Sequence, residues 1–204
     1  MKTKTRKILP TRQVKTESGF TIIESLVAMF IFIITIGATV GAFTFSLTAQ
    51  RLVFAEKQVS ESVNFSLEFM TRQLRVAQRD LAGSCITVDK IFEMVDLDGD
   101  GDSDQITFIN ADDLCVRFTL NLSDNSVEYI EDPLGTPDTI KLTNSEIVSI
   151  TDIDFETLGE PSNDSIQSRV TVAIRAEGVG ASEEAQSVNL ETQTTVTSRR
   201  LDTL

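Results

Sequence analysis

One short segment of this chain concentrates carboxylates in a pattern that suits metal binding. Aspartate stands at every second position over residues 96–104, and Gly99 and Gly101 lie between these acids. The five aspartates are Asp96, Asp98, Asp100, Asp102 and Asp104. Carboxylate oxygens are the ligands that hard divalent cations prefer, and glycine permits the sharp turn that brings several of them together. The segment is therefore a candidate metal site.

The spacing of these aspartates resembles the DxDGDGxxD calcium loops of extracellular β-rich proteins more closely than an EF-hand. Counted from Asp96, acids occupy positions 1, 3, 5, 7 and 9, and Gly101 occupies position 6, as in an EF-hand. Position 12, however, is Thr107 instead of a bidentate glutamate, and the flanking residues have the pattern of strands. Ca²⁺ suits a cage of many protein oxygens better than Mg²⁺. A solvated acidic hairpin tip is the alternative interpretation, and the mutual repulsion of five carboxylates favours calcium.

The two cysteines of the chain flank the aspartate segment. Cys85 and Cys115 are an even pair, and a bond between them would close a loop that contains all five aspartates. Cys115 is out of phase with the apolar positions of its own predicted strand, so it is expected on the opposite face. Two free thiols are the alternative, because the compartment is inferred only from the predicted topology.

Residues that commonly carry acid–base or nucleophilic catalysis are missing from the sequence. Histidine is absent, and no G-x-S-x-G or comparable nucleophile motif occurs. The aspartates cluster in one segment, whereas paired catalytic carboxylates come from separate parts of a fold. We therefore expect that the chain is not an enzyme.

A second chemically distinctive acid, Glu24, interrupts a long apolar run near the N-terminus. The run follows Gly19-Phe20, and no charged residue occurs over residues 25–50. About 20 apolar residues span a bilayer, so the run is long enough to cross one. A carboxylate at the centre of such a helix costs about 2.5–3.5 kcal/mol and less near its end, so an acid kept there usually has a partner.

Two ordinary explanations of this run fit less well. A secretory signal peptide has an apolar region of about 7–15 residues and a cleavage site of small residues, and this run is longer. The nearest candidate for such a site places the bulky Leu47 where a small residue is needed. A plain single-pass membrane anchor remains an alternative.

The arrangement resembles the N-terminal signature of type IV pilins and pseudopilins. That resemblance implies that a prepilin peptidase cuts between Gly19 and Phe20, and that the new N-terminal Phe20 is methylated. It also implies that Glu24 pairs with the terminal amine of a neighbouring subunit during assembly. The chain departs from many type IV pilins by having Gly37 and Gly41, instead of a proline, near the middle of the apolar run. These glycines could loosen the helix there or form a small-residue packing face.

Charge predicts the topology. The leader, residues 1–19, carries several basic residues against the single acid Glu17, and positive flanks stay on the cytoplasmic side of a membrane. The rest of the chain is then extracytoplasmic. The net charge of the whole chain is −13, so the mature part is still more acidic. An acidic domain repels phosphates, and we expect no direct nucleic-acid binding.

Beyond the apolar run the pattern of a helix continues and becomes amphipathic. Apolar residues recur at steps of three and four, as on one face of a 3.6-residue helix. These residues are Val59, Val63, Leu67, Met70, Leu74, Ala77 and Leu81, with Phe65, Phe69 and Val76 beside them. Gly83 is a plausible stop, and no proline occurs over residues 20–82, so the sequence predicts one helix through that range.

The remainder of the chain has the pattern of strands. Apolar and polar residues alternate over residues 114–122 and 170–174, and turn-forming residues separate the runs. The predicted strands are residues 86–95, 105–110, 114–122, 127–130, 139–142, 147–155, 170–174 and 188–196. Strands without intervening helices imply an antiparallel sheet that receives the helix on one face.

The expected protein is therefore α+β, with a long N-terminal α-helix packed on an antiparallel β-sheet domain. Its parts are a basic leader (1–19), a transmembrane or filament-core half of the helix (20–50), an amphipathic half (51–83) and an extracytoplasmic β domain (84–204). The implied function is that of a minor structural subunit of a type IV pilus or a type II secretion pseudopilus. Its partners would be the prepilin peptidase, other pilin or pseudopilin subunits and the cytoplasmic membrane. The alternative is a membrane-anchored calcium-binding or adhesive surface domain that does not polymerise.

Overall fold

The computed structural model describes residues 19–159, 166–180, 186 and 188–199. The basic leader before Gly19 lies outside these residues, as do Glu160 and Pro161, two of the turn-forming residues between the predicted strands 147–155 and 170–174. The chain forms two compact units, Met1–Ser46 and Leu47–Leu204. Helix α1 runs without interruption from Ile22 to Arg75 and contributes residues to both.

In the first unit the described residues are the start of α1 and its apolar part. The hydroxyl of Thr21 accepts the backbone N–H of Glu24 (3.3 Å), so Thr21 caps the helix N-terminus. Thr35, Thr39 and Thr44 each donate a side-chain hydrogen bond to a carbonyl one turn earlier. These bonds satisfy the hydroxyls inside the helix itself, so the polar threonines remain compatible with an apolar environment.

In the second unit the amphipathic stripe of α1 packs into the core as predicted. Val59, Val63, Leu67, Met70 and Leu74 are all buried. Phe69 is partly buried and packs edge-on against two rings of the sheet, Tyr129 and Phe118. Phe65, by contrast, is 59% exposed. The 3.6-residue periodicity therefore identifies the buried face correctly, and the helix contributes one side of the hydrophobic core.

The predicted end of the helix is wrong, because α1 stops at Arg75 and not near Gly83. Ala77 is buried as expected, but Leu81 is 77% exposed. The backbone N–H of Gln78 donates to the carbonyl of Ile109 (2.8 Å), which directs the chain along the sheet instead of around another helical turn. Gly83 has a positive φ of 68°, but it belongs to the loop after the helix. The amphipathic half of the helix is therefore shorter than residues 51–83.

Eight antiparallel strands follow in the described part of the chain. They are β1 (Phe92–Val95), β2 (Gln105–Ile109), β3 (Cys115–Asn121), β4 (Ser126–Glu131), β5 (Asp138–Lys141), β6 (Val148–Leu158), β7 (Arg169–Gly178) and β8 (Asn189–Thr197). Each predicted run contains or overlaps one of them, although β1 begins at Phe92 and not at residue 86. The residues before β1 form a loop that is hydrogen-bonded to the Asp80 carboxylate. The fold is α+β, as the sequence predicts.

These strands form two sheets, whereas the sequence pattern suggested one. The first sheet has the order β1-β2-β3-β4-β5 and the second has the order β6-β7-β8. The edge of β6 contacts loops of the first sheet: Ile150 N–H donates to the Asn125 carbonyl (2.8 Å) and Phe155 N–H to the Ser103 carbonyl (3.0 Å). Both sheets and α1 share one buried core, with Phe108, Phe118 and Phe155 among its largest side chains.

A register shift in β6 determines which of its side chains face away from the core. The shift lies between Ile150 and Asp152 in the pairing with β7. Ile150 and Ile153 are both fully buried, so the usual alternation restarts after the irregularity. Asp152 and Asp154 consequently lie on the same outer side of the strand, beside the connection between β1 and β2.

Candidate functional site

Glu24 lies in the first turn of α1, where the sequence analysis expects an assembly residue. Thr21 and Glu24 have the spacing of a capping box, and the Thr21 hydroxyl accepts the Glu24 N–H. A carboxylate in the first turn is also favoured by the positive end of the helix dipole. Glu24 can therefore act in starting the helix, a second role that sequence reasoning did not consider.

The part of α1 in the first unit presents apolar side chains around its whole circumference. No residue of α1 before Val59 is buried. The exposed large apolar residues of this unit are Phe20, Ile22, Ile23, Leu26, Val27, Met29, Phe30, Ile31, Phe32, Ile33, Ile34, Ile36, Val40, Phe43 and Phe45. Of the described helices, α1 alone is long and apolar enough to cross a membrane. Such a surface is stable only in lipid or against other apolar helices.

The aspartate loop, residues 96–104, connects β1 to β2 and is held by its own carboxylates. Asp96 accepts the backbone N–H groups of Gly99 (2.6 Å) and Gly101 (3.1 Å) through its two oxygens. Both glycines have positive φ, 84° and 105°, a conformation that side-chain-bearing residues rarely adopt. The buried Asp104 accepts the Leu97 N–H (2.9 Å). The loop therefore has a defined turn that brings several carboxylates close together.

The five aspartates form two groups, and the second includes a residue that the sequence analysis missed. Asp96, Asp98 and Asp104 each offer one carboxylate oxygen within 4.8 Å of the others. Asp100 and Asp102 meet the same limit with Asp152, from β6. The only sequence signal for Asp152 is the pair of acids at 152 and 154 on one side of a predicted strand. Each group provides three carboxylates, a donor set that suits a hard cation such as Ca²⁺.

Backbone contacts fasten the aspartate loop to β6. The Ser103 N–H donates to Asp154 (3.2 Å), and the Ser103 carbonyl accepts the Phe155 N–H (3.0 Å). The Asp104 carbonyl accepts the Leu120 N–H from β3 (3.1 Å). These bonds place Asp152 opposite Asp100 and Asp102, so a cation held by the second group would connect the two sheets.

Burial, together with the crowding of negative charge, raises the pKa of two of these carboxyls. At Asp98 the largest single influence, the hydrogen bond from the Asp100 N–H, lowers the pKa, but desolvation and the charges of Asp100 and Asp104 together raise it. At Asp152 burial raises the pKa most, Arg175 opposes it, and the nearby charges of Asp102, Asp100 and Asp104 add to the increase. Arg175 donates to Asp152 at 2.7 Å. In both residues the ionised form is disfavoured unless further positive charge is near.

Cys85 and Cys115 form a disulfide, which confirms the pairing that the sequence analysis favoured. Their Cα atoms are 5.5 Å apart, and the closed loop includes the whole aspartate segment. Cys115 begins β3, while Cys85 lies in the loop between α1 and β1. The disulfide therefore attaches this loop to the first sheet.

Asp80 is a second residue that sequence reasoning missed, and it organises the loop that holds Cys85. Its side chain is almost fully buried, and its carboxylate accepts four backbone N–H groups: from Ala82 (3.0 Å), Gly83 (2.7 Å), Cys85 (2.7 Å) and Ile86 (3.1 Å). The bond from Cys85 is the largest of the influences that hold the pKa of Asp80 well below its usual range, against the opposing effect of burial. The carboxylate is consequently ionised at neutral pH. All four donors lie two to six residues after Asp80, so the acid forms a local aspartate turn, which the sequence analysis did not consider.

Comparison of the chain with protein-family models, with curated proteins and with solved structures finds no match.

Proposed function

We propose that this chain is a minor subunit of a type IV pilus or a type II secretion pseudopilus. After a prepilin peptidase removes the leader at Gly19-Phe20, the subunit polymerises through the apolar part of α1. The observation that carries the proposal is the register of four features: Gly19, Phe20, the acid Glu24 five residues into the mature chain, and an uncharged run over residues 25–50. Neither a secretory signal peptide nor a plain membrane anchor requires all four of these features.

The exposure of the apolar helix supports a role in assembly. All the side chains of α1 in the first unit are exposed, and they need either lipid or other helices around them. A subunit of this class uses both environments in turn, since it is stored in the cytoplasmic membrane and then transferred to a filament core. The second unit, which carries the sheets, is then extracytoplasmic.

Glu24 has a specific task in this proposal. Cleavage after Gly19 creates a charged amine at Phe20, and an apolar bundle of helices disfavours any charge that is not paired. The Glu24 carboxylate of one subunit would neutralise the amine of its neighbour. The pairing also sets the axial offset between the two subunits, because the two charges must lie at the same level.

The capping-box spacing of Thr21 and Glu24 provides a sharp experimental distinction. A capping box functions with either glutamate or glutamine, so Glu24→Gln keeps the cap and removes only the charge. Thr21→Ala is the matched control, because it removes the capping hydroxyl and keeps the charge. If charge pairing drives assembly, Glu24→Gln and Glu24→Ala should both reduce incorporation, whereas Thr21→Ala should not.

Incorporation is measured by shearing filaments from cells that express each full-length variant and comparing the filament and membrane fractions by immunoblot. Mass spectrometry of the wild-type protein should show an N-terminal methylated Phe20. Retention of the leader in cells with an active prepilin peptidase would refute the proposal. Wild-type incorporation of Glu24→Gln would show that assembly does not depend on the charge of Glu24.

The second candidate is a membrane-anchored, calcium-binding surface domain that does not polymerise. The two aspartate groups favour it. Asp152 joins Asp100 and Asp102 across the two sheets, so Ca²⁺ would stabilise the second unit in either candidate function. The two candidates differ at Glu24, since an anchor gains nothing from a charge there. A domain of the second kind would bind Ca²⁺ and remain in the membrane fraction in all Glu24 variants.

A further inference from the structure

The loop between α1 and β1 is held by one buried acid on one side and by a covalent bond on the other. The Asp80 carboxylate accepts the N–H groups of Cys85 and Ile86 through one oxygen and those of Ala82 and Gly83 through the other. The Asp80 backbone also pairs with the far end of the loop, donating to the Lys90 carbonyl (2.9 Å) and accepting the Asp89 N–H (2.7 Å). Both ends of the loop therefore converge on this single residue.

These contacts determine where the sulfur of Cys85 lies. With its N–H bonded to Asp80, Cys85 places Sγ 3.6 Å from the Phe108 carbonyl of β2, on the strand next to Cys115. Cys115 is itself fixed in β3, paired with Ile109 and accepting the Asp132 N–H (2.9 Å). Cys115 thus belongs to a sheet that hydrogen bonds define, whereas Cys85 belongs to a loop in which four backbone N–H groups, its own included, donate to one carboxylate.

We propose that Asp80 is the positioning residue for the Cys85–Cys115 disulfide. Its carboxylate arranges the loop before oxidation, so that the two thiols already face each other in the folded, reduced protein. Oxidation then follows folding of this region and locks it. The proposal concerns the exported second unit and is independent of whether the chain polymerises.

The chemistry requires a disulfide oxidant, such as oxidised glutathione or an exported protein disulfide. A thiolate of the pair attacks a sulfur of the oxidant and releases one thiol from it, which forms a mixed disulfide. The second thiolate of the pair then attacks that mixed disulfide and releases the other thiol. In total the two cysteines lose two protons and two electrons, and the oxidant becomes two thiols. The equilibrium constant of this exchange measures the effective concentration of the two thiols relative to each other.

Asp80→Asn tests the proposal, because asparagine has nearly the same shape but replaces one acceptor oxygen with an N–H₂ group. The matched control is Asp89→Asn in the same loop. Asp89 has a positive φ of 70°, which asparagine tolerates, and its side chain interacts with Arg79 but not with the N–H of Cys85. Full-length variants in detergent micelles are equilibrated with mixtures of reduced and oxidised glutathione, and circular dichroism confirms that each remains folded.

The equilibrium constant for the disulfide should fall by about tenfold or more in Asp80→Asn, because the replaced oxygen accepts two charged hydrogen bonds and the loss of one alone corresponds to about that factor. It should stay within about twofold of wild type in Asp89→Asn, because this control alters no bond to Cys85. If Asp80 only stabilised the fold, its replacement would not change the thiol–disulfide equilibrium constant of the protein that remains folded. An unchanged constant in Asp80→Asn would therefore overturn the proposal.

A measurement on the wild type covers the case in which Asp80→Asn does not fold. Amide hydrogen exchange is followed at Cys85 and Ile86 in the oxidised and the reduced protein. If Asp80 arranges the loop in advance, both amides stay protected after reduction. Loss of their protection on reduction, while core amides stay protected, would show that the disulfide orders the loop and would refute the proposal.

Discussion

Replacing Asp152 by asparagine should have opposite consequences for stability in the absence and in the presence of calcium. Without calcium, the charge of Asp152 is disfavoured by burial and by the nearby carboxylates, which together outweigh Arg175 and raise its pKa. A pKa that is higher in the folded than in the unfolded state means that the fold is more stable with this carboxyl protonated than with it ionised. Asparagine is uncharged and resembles the protonated carboxyl. In chelator at pH 7, Asp152→Asn should therefore melt at the wild-type temperature or above it.

With calcium the variant should lose stability relative to wild type. Extracellular calcium sites often have Kd values of about 10⁻⁴–10⁻³ M, so about 10 mM free Ca²⁺ is a 10- to 100-fold excess. One site then adds about 1.4–2.7 kcal/mol to the free energy of unfolding. For a chain of this size that is a rise in Tm of about 3–11 °C.

Asp152 is one of three carboxylates in its group, and its loss leaves two. If this weakens binding about tenfold, the calcium-dependent increase in the free energy of unfolding falls by about 1 kcal/mol. The rise in Tm should then be smaller by about 2–4 °C.

The assay is thermal unfolding of the full-length protein in detergent, in chelator and in a calcium series. Asp98→Asn is the parallel variant for the first group, and Asp138→Asn, in the exposed strand β5, is the control for a simple change in net charge. Equal calcium shifts in Asp152→Asn and wild type would exclude Asp152 as a ligand. A wild-type Tm that does not respond to calcium would refute the metal hypothesis and leave the loop as an acidic hairpin tip.

Three further predictions concern the second unit. Replacing Cys85 and Cys115 by serine should lower the free energy of unfolding by about 3.6 kcal/mol on the chain-entropy estimate for a separation of 30 residues, measured by denaturant unfolding; a loss below about 1 kcal/mol would contradict it. Leu74→Ala should cost about 2–5 kcal/mol in the same assay because Leu74 is fully buried, whereas Leu81→Ala, at an exposed position, should stay within about 0.5 kcal/mol. The pKa of Asp80 is lower in the fold than its ordinary value of 3.8, so its carboxylate stabilises the fold fully above about pH 5, and this contribution is lost as the pH falls toward the folded pKa. The difference in unfolding free energy between wild type and Asp80→Asn should therefore be constant from about pH 5 to 8 and shrink below about pH 4, and a difference that grew on acidification would show that the sign is wrong.

Local patterns predicted the elements of the fold well, because they depend on residues close in sequence. The 3.6-residue period identified the buried face of α1 from Val59 to Leu74, and alternation located the strands around Phe118 and Val172. The end of α1 was mispredicted for a non-local reason. The period continues to Leu81, but the hydrogen bond between Gln78 and Ile109 directs the chain onto the sheet.

The candidate metal site likewise depends partly on a local pattern and partly on a contact between distant segments. Its five aspartates lie within nine residues of sequence, so they are recognisable as a metal-binding pattern, and Gly99 and Gly101 indicate the turn. Nothing in that pattern says that the acids divide into two groups. Their division depends on β6, whose register shift brings Asp152 against the loop.

By itself the sequence determined the apolar character of α1, the position of Glu24 after Gly19-Phe20, the strand pattern and the pairing available to two cysteines. Each of these follows from composition or from spacing within a few residues, or, for the cysteines, from the presence of only two of them in the sequence. Only the tertiary structure decided that the strands form two sheets and that Asp152 joins the aspartate loop. Those outcomes depend on which distant segments come together to bury apolar surface and satisfy backbone hydrogen bonds, and no local pattern contains that information.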